Sequence, residues 1–153
     1  VCAGEEKEVF VIQFLKGKMT GSLDYLKRLE PGDQGFQVRK EKKHFYEDLS
    51  DEEKQEEKVN ILNGYNFAKK VLSIGECDVL ILDEILGLVD LGIITCEDVI
   101  RLIDMKDESV ELIMTGRHLP EELIPYADYI SRLDIVKGAC SEKAVMYVAF
   151  LLT

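Results

Sequence analysis

Apolar positions recur along the chain with two different periods, and these periods predict the order of its elements. Short runs rich in β-branched and aromatic residues predict strands over 8–15, 78–82, 110–114 and 128–136. Longer segments with helical spacing lie between several of them. The alternation predicts an α/β fold, with a mostly parallel sheet and helices on both faces.

The clearest helix signal begins at Ser50. A serine followed three residues later by Glu53 forms a capping box, which predicts a helix that starts there and ends near Ser73, before Gly75. Helical spacing predicts that its inward face carries Val59, Leu62, Tyr65, Ala68 or Lys69, and Leu72, with Ile61 and Val71 widening the stripe.

Weaker signals place three further helices. Thr95 is the predicted N-cap of one of them, and Pro120 suits the first turn of a short helix over 120–126. The inward residues of the Thr95 helix are predicted to be Val99, Ile100, Leu102 and Ile103. A short helix is also predicted over 23–29, whereas 33–49 has no clean period and is interpreted as a loop that contains at most one strand.

Composition narrows the classes of function. The chain has 153 residues, enough for one domain with a core, and a formal net charge of -11. That charge argues against a nucleic-acid surface, which is normally basic. The longest apolar run, 144–152, is too short to cross a bilayer, and no secretion signal is visible, so we expect a cytoplasmic protein without membrane contact. The cysteines form no CxxC pair, which predicts reduced thiols.

Polar residues close three of the predicted strands. The first strand ends in the segment 13–17, which includes Gln13 and Lys16. Asp83 and Glu84 follow the second strand, and the segment 115–117 follows the third. Ligands bind at the carboxyl ends of strands in open parallel sheets, so these residues predict one ligand site. Two carboxylates there are suited to magnesium. The alternative for the acids is a helix N-cap, in which a carboxylate accepts from free amides.

Several segments, taken in order, carry a resemblance to a known family. They are "VFVIQFLKGK", "GFQV", "CDVLILDEILGLVDLGII", "ELIMTGRHLPEELIPYADYI" and "IVKG". Together they resemble the ATP:corrinoid adenosyltransferases, which act on cob(I)alamin or cob(I)yrinic acid a,c-diamide. The resemblance covers about 8–138 and implies a P-loop NTPase-like (RecA-like) fold. It also implies transfer of the 5′-deoxyadenosyl group of ATP to the cobalt of a reduced corrinoid, such as cobalamin or a precursor, with release of triphosphate.

The resemblance also implies roles for particular residues. Asp83 and Glu84 match the family's acidic pair near magnesium and the phosphates, and Arg117 matches the arginine of its Thr-Gly-Arg element. For Arg117, a structural salt bridge to either acid is an equally weighted alternative. The residues expected to contact ATP or the corrinoid are Gln13, Lys16, Thr115, Phe36 and Val38. Val38 stands where family members often have tryptophan, so it supplies apolar bulk without a ring.

One family element is absent from the printed sequence. Family members begin with GxxxxGK[ST], a loop whose amides and lysine bind phosphate, and no part of 1–153 matches it. Either residues precede Val1 in the full protein, which we expect, or the chain is a variant without the loop. The second case gives the alternative function, a non-catalytic nucleotide- or corrinoid-binding relative. The chain is therefore interpreted as a single α/β nucleotide-binding domain without its phosphate-loop segment.

Partners follow from the same considerations. ATP and a corrinoid are the small-molecule partners that the resemblance implies, with magnesium as the metal. A reductase that supplies reduced corrinoid and a homodimer are further possibilities, the dimer because a sheet without its first strand exposes apolar surface. Nucleic acid and membrane are not expected as partners.

Overall fold

The computed structural model describes residues 7–15, 46–134 and 145–151. Its strands are β1 (Val9–Gln13), β2 (Val79–Asp83), β3 (Glu111–Gly116), β4 (Tyr129–Asp134) and β5 (Val145–Leu151). Its helices are α1 (Asp51–Ile74), α2 (Ile85–Asp90) and α3 (Cys96–Asp104), with 3-10 helices at Tyr46–Asp48 and Glu121–Tyr126. The predicted helix over 23–29 and most of the predicted loop lie outside the described residues. No helix in the described ranges is long and apolar enough to cross a membrane.

The sheet is mixed and has the strand order β1-β2-β3-β5-β4. The pairs β1–β2 and β2–β3 are parallel, whereas β5 is antiparallel to both β3 and β4. Four strands therefore run in one direction, and β5 runs against them between β3 and β4. The α/β prediction is confirmed, and the prediction of a mostly parallel sheet holds for every described strand except β5, which the sequence pattern had not predicted.

Helix α1 begins and ends where its signals predicted. The Ser50 hydroxyl accepts from the backbone N–H of Glu53, whose carboxylate accepts in turn from the N–H of Ser50, 3.3 and 3.1 Å apart respectively. Gly75 closes the helix with φ 62°, a left-handed conformation that glycine adopts without steric cost. The buried face carries Ile61, Tyr65, Ala68, Val71 and Leu72, together with Glu57.

The predicted inward position of Val59 is wrong. Its side chain is 59% exposed, while Ile61 is fully buried. Residues two positions apart point about 200° apart on a helix, so these two cannot face the same core. The face of α1 that contains Ile61 is buried because apolar residues continue along it at Tyr65, Ala68 and Leu72, at steps of four, three and four.

One core joins the described helices to one face of the sheet. That face presents Ile12 of β1, Leu80 and Leu82 of β2, and Leu112 and Met114 of β3, all essentially buried. They cluster with the buried residues of α1, α2 and α3. On the opposite face, Val11, Ile81 and Ile113 are only partly buried. Helices were predicted on both faces of the sheet, and within the described residues they pack on one face.

Candidate functional site

The ends of β1, β2 and β3 lie side by side and bring together four residues predicted from the sequence. Gln13 is directly opposite Asp83 in the parallel register. The Gln13 side-chain amide donates to Asp83 Oδ2 over a long 3.4 Å, and the Thr115 hydroxyl donates to Asp83 Oδ1 over 2.7 Å. The backbone N–H of Glu84 donates to Thr115 Oγ1 over 2.9 Å. A continuous chain of hydrogen bonds thus links Gln13, Asp83, Thr115 and Glu84.

Two residues at this edge have a left-handed backbone although neither is glycine. Leu15, just beyond β1, has φ 61°, and Glu84, just beyond β2, has φ 62°. This conformation costs an L-residue about 1–2 kcal/mol, so the edge stores strain at two neighbouring positions. At Glu84 the turn lets β2 pass into α2 without an intervening loop. Strained residues of this kind cluster at functional sites.

Gly87 and Gly116 permit the close packing behind these turns. A Cβ on Gly87 would lie 2.9 Å from Leu15 Cδ1, and a Cβ on Gly116 would lie 2.4 Å from the Cβ of Leu86. Leu86 is fully buried in α2. The two glycines therefore let α2 lie against the end of β3 and against Leu15, which fixes the turn at Glu84 from behind.

The alternative role of the acids, a helix N-cap, is fulfilled in position only, because no capping hydrogen bond is formed. Glu84 occupies the N-cap position of α2, yet its side chain makes no capping hydrogen bond. Its carboxylate is partly exposed. Asp83 directs its carboxylate to the side chains of Gln13 and Thr115, and it too is partly exposed. The two carboxylates remain candidates for a ligand.

Arg117 lies just past this group, at the end of β3. Its side chain is exposed, and within 7–15, 46–134 and 145–151 it makes no hydrogen bond or ion pair. The salt bridge to Asp83 or Glu84, the structural alternative for this arginine, is therefore not formed. The neighbouring His118 places Nδ1 3.0 Å from Oδ2 of Asp90, the last residue of α2, which links the segment after β3 to that helix.

The donor set of Asp83 and Glu84 fits magnesium in a site shared with phosphate. Mg²⁺ takes oxygen ligands and is usually held by one or two carboxylates, with water and substrate phosphates completing its shell. The described part of the chain contains no group of three or more histidine, cysteine or acidic residues that could hold a metal by itself. An ion held by these two acids would therefore need water and phosphate to complete its coordination.

Three of the predicted contact residues, Lys16, Phe36 and Val38, lie outside the described residues. The linking position of Thr115 between the two acids was not predicted. A signal for it exists in the sequence, because a threonine ends the strand next to the one that ends in Asp83. The left-handed backbone at Leu15 and Glu84 has no comparable sequence signal.

Known proteins share sequence with this chain over most of its length. The family described as ATP:corrinoid adenosyltransferase BtuR/CobO/CobP matches residues 1–147. A corrinoid adenosyltransferase of Escherichia coli K12 is 29% identical over 136 residues, 89% of this chain and 66% of the relative. An uncharacterized protein of Nostoc sp. is 34% identical over 70 residues, 46% of this chain and 18% of the relative. The chain spans just under two thirds of the E. coli relative's length. No solved structure matches it.

Proposed function

We propose, since the chain belongs to the ATP:corrinoid adenosyltransferase family, that it transfers the 5′-deoxyadenosyl group of ATP to a reduced corrinoid. In this reaction Co(I) supplies the electron pair of the new cobalt–carbon bond. The C5′–O bond of ATP breaks, and its electron pair leaves with the triphosphate. An external one-electron donor, such as a reductase, keeps the corrinoid in the Co(I) state. ATP and the corrinoid are the substrates.

The observation that carries the proposal is the hydrogen-bonded group of Gln13, Asp83, Thr115 and Glu84 at the strand ends. The leaving triphosphate is strongly anionic, and its release is favoured by preorganised positive charge. Magnesium supplies such charge when it is bound. Asp83 and Glu84 would hold it at the edge of the sheet, where it would neutralise negative charge on the phosphates of ATP.

Arg117 is assigned to the triphosphate. It is exposed at the same edge of the sheet and has no partner among the described residues, so its guanidinium is available for phosphate. A guanidinium binds phosphate oxygens in a bidentate manner, which suits this role. Gln13 and Lys16 belong to the nucleotide side of the proposed site. Phe36 and Val38 belong to the corrinoid side, where apolar groups favour loss of the lower axial ligand of cobalt.

The proposal is tested by incubating the protein with ATP, Mg²⁺ and chemically reduced cobalamin and following adenosylcobalamin by its absorbance spectrum. We expect Glu84→Gln to lower turnover at least about tenfold, the scale of a lost electrostatic contact. The matched control is Glu108→Gln, an exposed acid in the turn before β3, which should leave turnover unchanged. ATP or corrinoid binding without transfer supports the alternative of a non-catalytic binding relative. Full activity of Glu84→Gln removes Glu84 from the site.

A further inference from the structure

Thr115 occupies an unusual position between the two acids. Its side chain is 8% exposed and is one of two buried polar or charged side chains in the described part of the chain. It donates to Asp83 Oδ1 at 2.7 Å and accepts from the backbone N–H of Glu84 at 2.9 Å. One hydroxyl therefore contacts the side chain of one acid and the main chain of the other.

We infer that Thr115 is a positioning residue, which fixes both acids for a divalent cation rather than contacting the nucleotide itself. A hydroxyl has one hydrogen to donate. Here that hydrogen is directed to Asp83, so it is not available to a phosphate oxygen. This inference rests on the proposed function, in which Asp83 and Glu84 hold the metal. It changes the role that the family resemblance implied for Thr115 from ligand contact to orientation of the ligating groups.

The backbone of Glu84 explains why a side chain is needed at this point. The pairing of β2 with β3 runs to Leu82 and Met114, and Glu84 lies beyond it. The N–H of Glu84 points toward the neighbouring strand β3, where Thr115 supplies the acceptor. Without that hydroxyl, a partly buried donor is left without its partner, and the strained turn loses a hydrogen bond that holds it.

The experiment compares Thr115→Val with Thr115→Ser in the full chain. Valine keeps the shape and removes the hydroxyl, whereas serine keeps the hydroxyl. Mn²⁺ binding is measured by isothermal titration calorimetry with ATP present, since Mn²⁺ also takes oxygen ligands and two acids alone do not complete its coordination. Hydrogen exchange of the Glu84 amide is measured by NMR. Thr95→Val is the control, because it removes the N-cap hydroxyl of α3, whose partner is the backbone N–H of Asp98 rather than either acid.

We expect Thr115→Val to weaken Mn²⁺ binding by about 10–100-fold, the usual effect of losing a group that orients a metal ligand. Amide exchange at Glu84 should accelerate in the same variant. Thr115→Ser should restore both properties. Thr95→Val should lower the melting temperature, because it loses a helix cap, with Mn²⁺ affinity unchanged.

Two results overturn the inference. The first is Mn²⁺ affinity in Thr115→Val equal to that of the wild type. The second is unchanged exchange at Glu84, which shows that the hydroxyl does not hold that amide. A wild-type chain that binds no Mn²⁺ with ATP present refutes the metal assignment in the proposed function and the metal-orienting role of Thr115 together. Hydrogen exchange then still decides separately whether Thr115 holds the turn.

Discussion

Two replacements of Glu84 distinguish the contribution of its strained backbone to stability from the contribution of its carboxylate to activity. Glu84→Ala removes the carboxylate and keeps a Cβ at φ 62°, ψ 21°. Glu84→Gly removes both the carboxylate and the Cβ. An L-residue in the left-handed conformation costs about 1–2 kcal/mol, and glycine avoids this cost. Glycine in turn loses roughly 0.5–1 kcal/mol of stability, because it has greater conformational freedom in the unfolded chain. We therefore expect the glycine variant to be about 1 kcal/mol more stable than the alanine variant.

The difference is measured by urea denaturation of both variants, with thermal unfolding as a second probe. For a domain of this size, about 1 kcal/mol corresponds to roughly 2–4 °C in melting temperature. Adenosyl transfer should fall to the same low level in both, because both lack the carboxylate. The two variants would then differ in stability and not in activity.

Gly75 provides a control outside the site for the stability cost of a Cβ in the left-handed conformation. It closes α1 at φ 62°, the same as Glu84, so Gly75→Ala places a Cβ in the same backbone conformation. The nearest atom to that Cβ is the Ser109 hydroxyl at 3.3 Å, a small group on an exposed side chain. We expect a loss of about 1 kcal/mol there. If Gly75→Ala is costly while Glu84→Gly is no more stable than Glu84→Ala, the reasoning that Glu84 stores strain is refuted.

Three further outcomes follow from individual contacts. Arg117→Lys should weaken ATP binding in a titration, because it loses the bidentate fork, and should change the unfolding free energy by less than about 0.5 kcal/mol; wild-type affinity would contradict the phosphate assignment. Gly116→Ala should destabilise by about 1–3 kcal/mol in denaturant, and Leu86→Ala should not rescue it, because the clashing Cβ remains. Burial, followed by the charge of Asp78, raises the pKa of the Cys77 thiol from 9.0 to about 11, so its contribution to stability is present below pH 9 and is lost as the pH rises through 11. Cys77→Ala should therefore flatten the decline of unfolding free energy between pH 9 and 11, and an unchanged slope would contradict this.

Elements with local start and stop signals were predictable from the sequence. Ser50 and Thr95 each begin a helix through a capping box, and Gly75 ends one in a left-handed turn. These interactions lie within a few residues of each other in sequence, so no knowledge of the fold is needed. The strands β1 to β3 were predictable for a similar reason, since each is a short, mostly apolar run between turn residues. Strand β4, YISRLD, is mixed in polarity and was predicted from the β-branched and aromatic residues of 128–136.

Helix α2 and strand β5 were missed because their residues carry no distinctive period. Helix α2 has only six residues, and its sequence ILGLVD is almost entirely apolar and contains Gly87. A run that short cannot show which face is buried. Strand β5 is a continuous apolar run, VMYVAFL, and lies between two other strands. Its place in the sheet is set by pairing with distant residues, which composition does not encode.

The location of the site was predictable and its internal geometry was not. Parallel strands bring their carboxyl ends to one edge, so Gln13, Asp83 and Thr115 were expected to lie together, and their hydrogen bonds confirm this. The register decides which side chains touch. The left-handed turn at Glu84 is supported by distant residues, through the packing of α2 against β3 and the hydrogen bond to Thr115, so the local sequence does not predict it.

The two acids are held by different hydrogen bonds. This difference predicts which neighbouring residue has the larger effect on Mn²⁺ binding when it is replaced. Asp83 is oriented through its side chain, which accepts from Thr115 and Gln13, whereas Glu84 is oriented through its backbone N–H. Thr115 acts on both acids and makes the shorter bond. Gln13 reaches only Asp83, over 3.4 Å, where a hydrogen bond is weak. Gln13→Ala should therefore weaken Mn²⁺ binding less than Thr115→Val does in the same calorimetric titration. A larger loss from Gln13→Ala would mean that orientation of Asp83 alone governs the ion, and that the backbone of Glu84 contributes little to holding it.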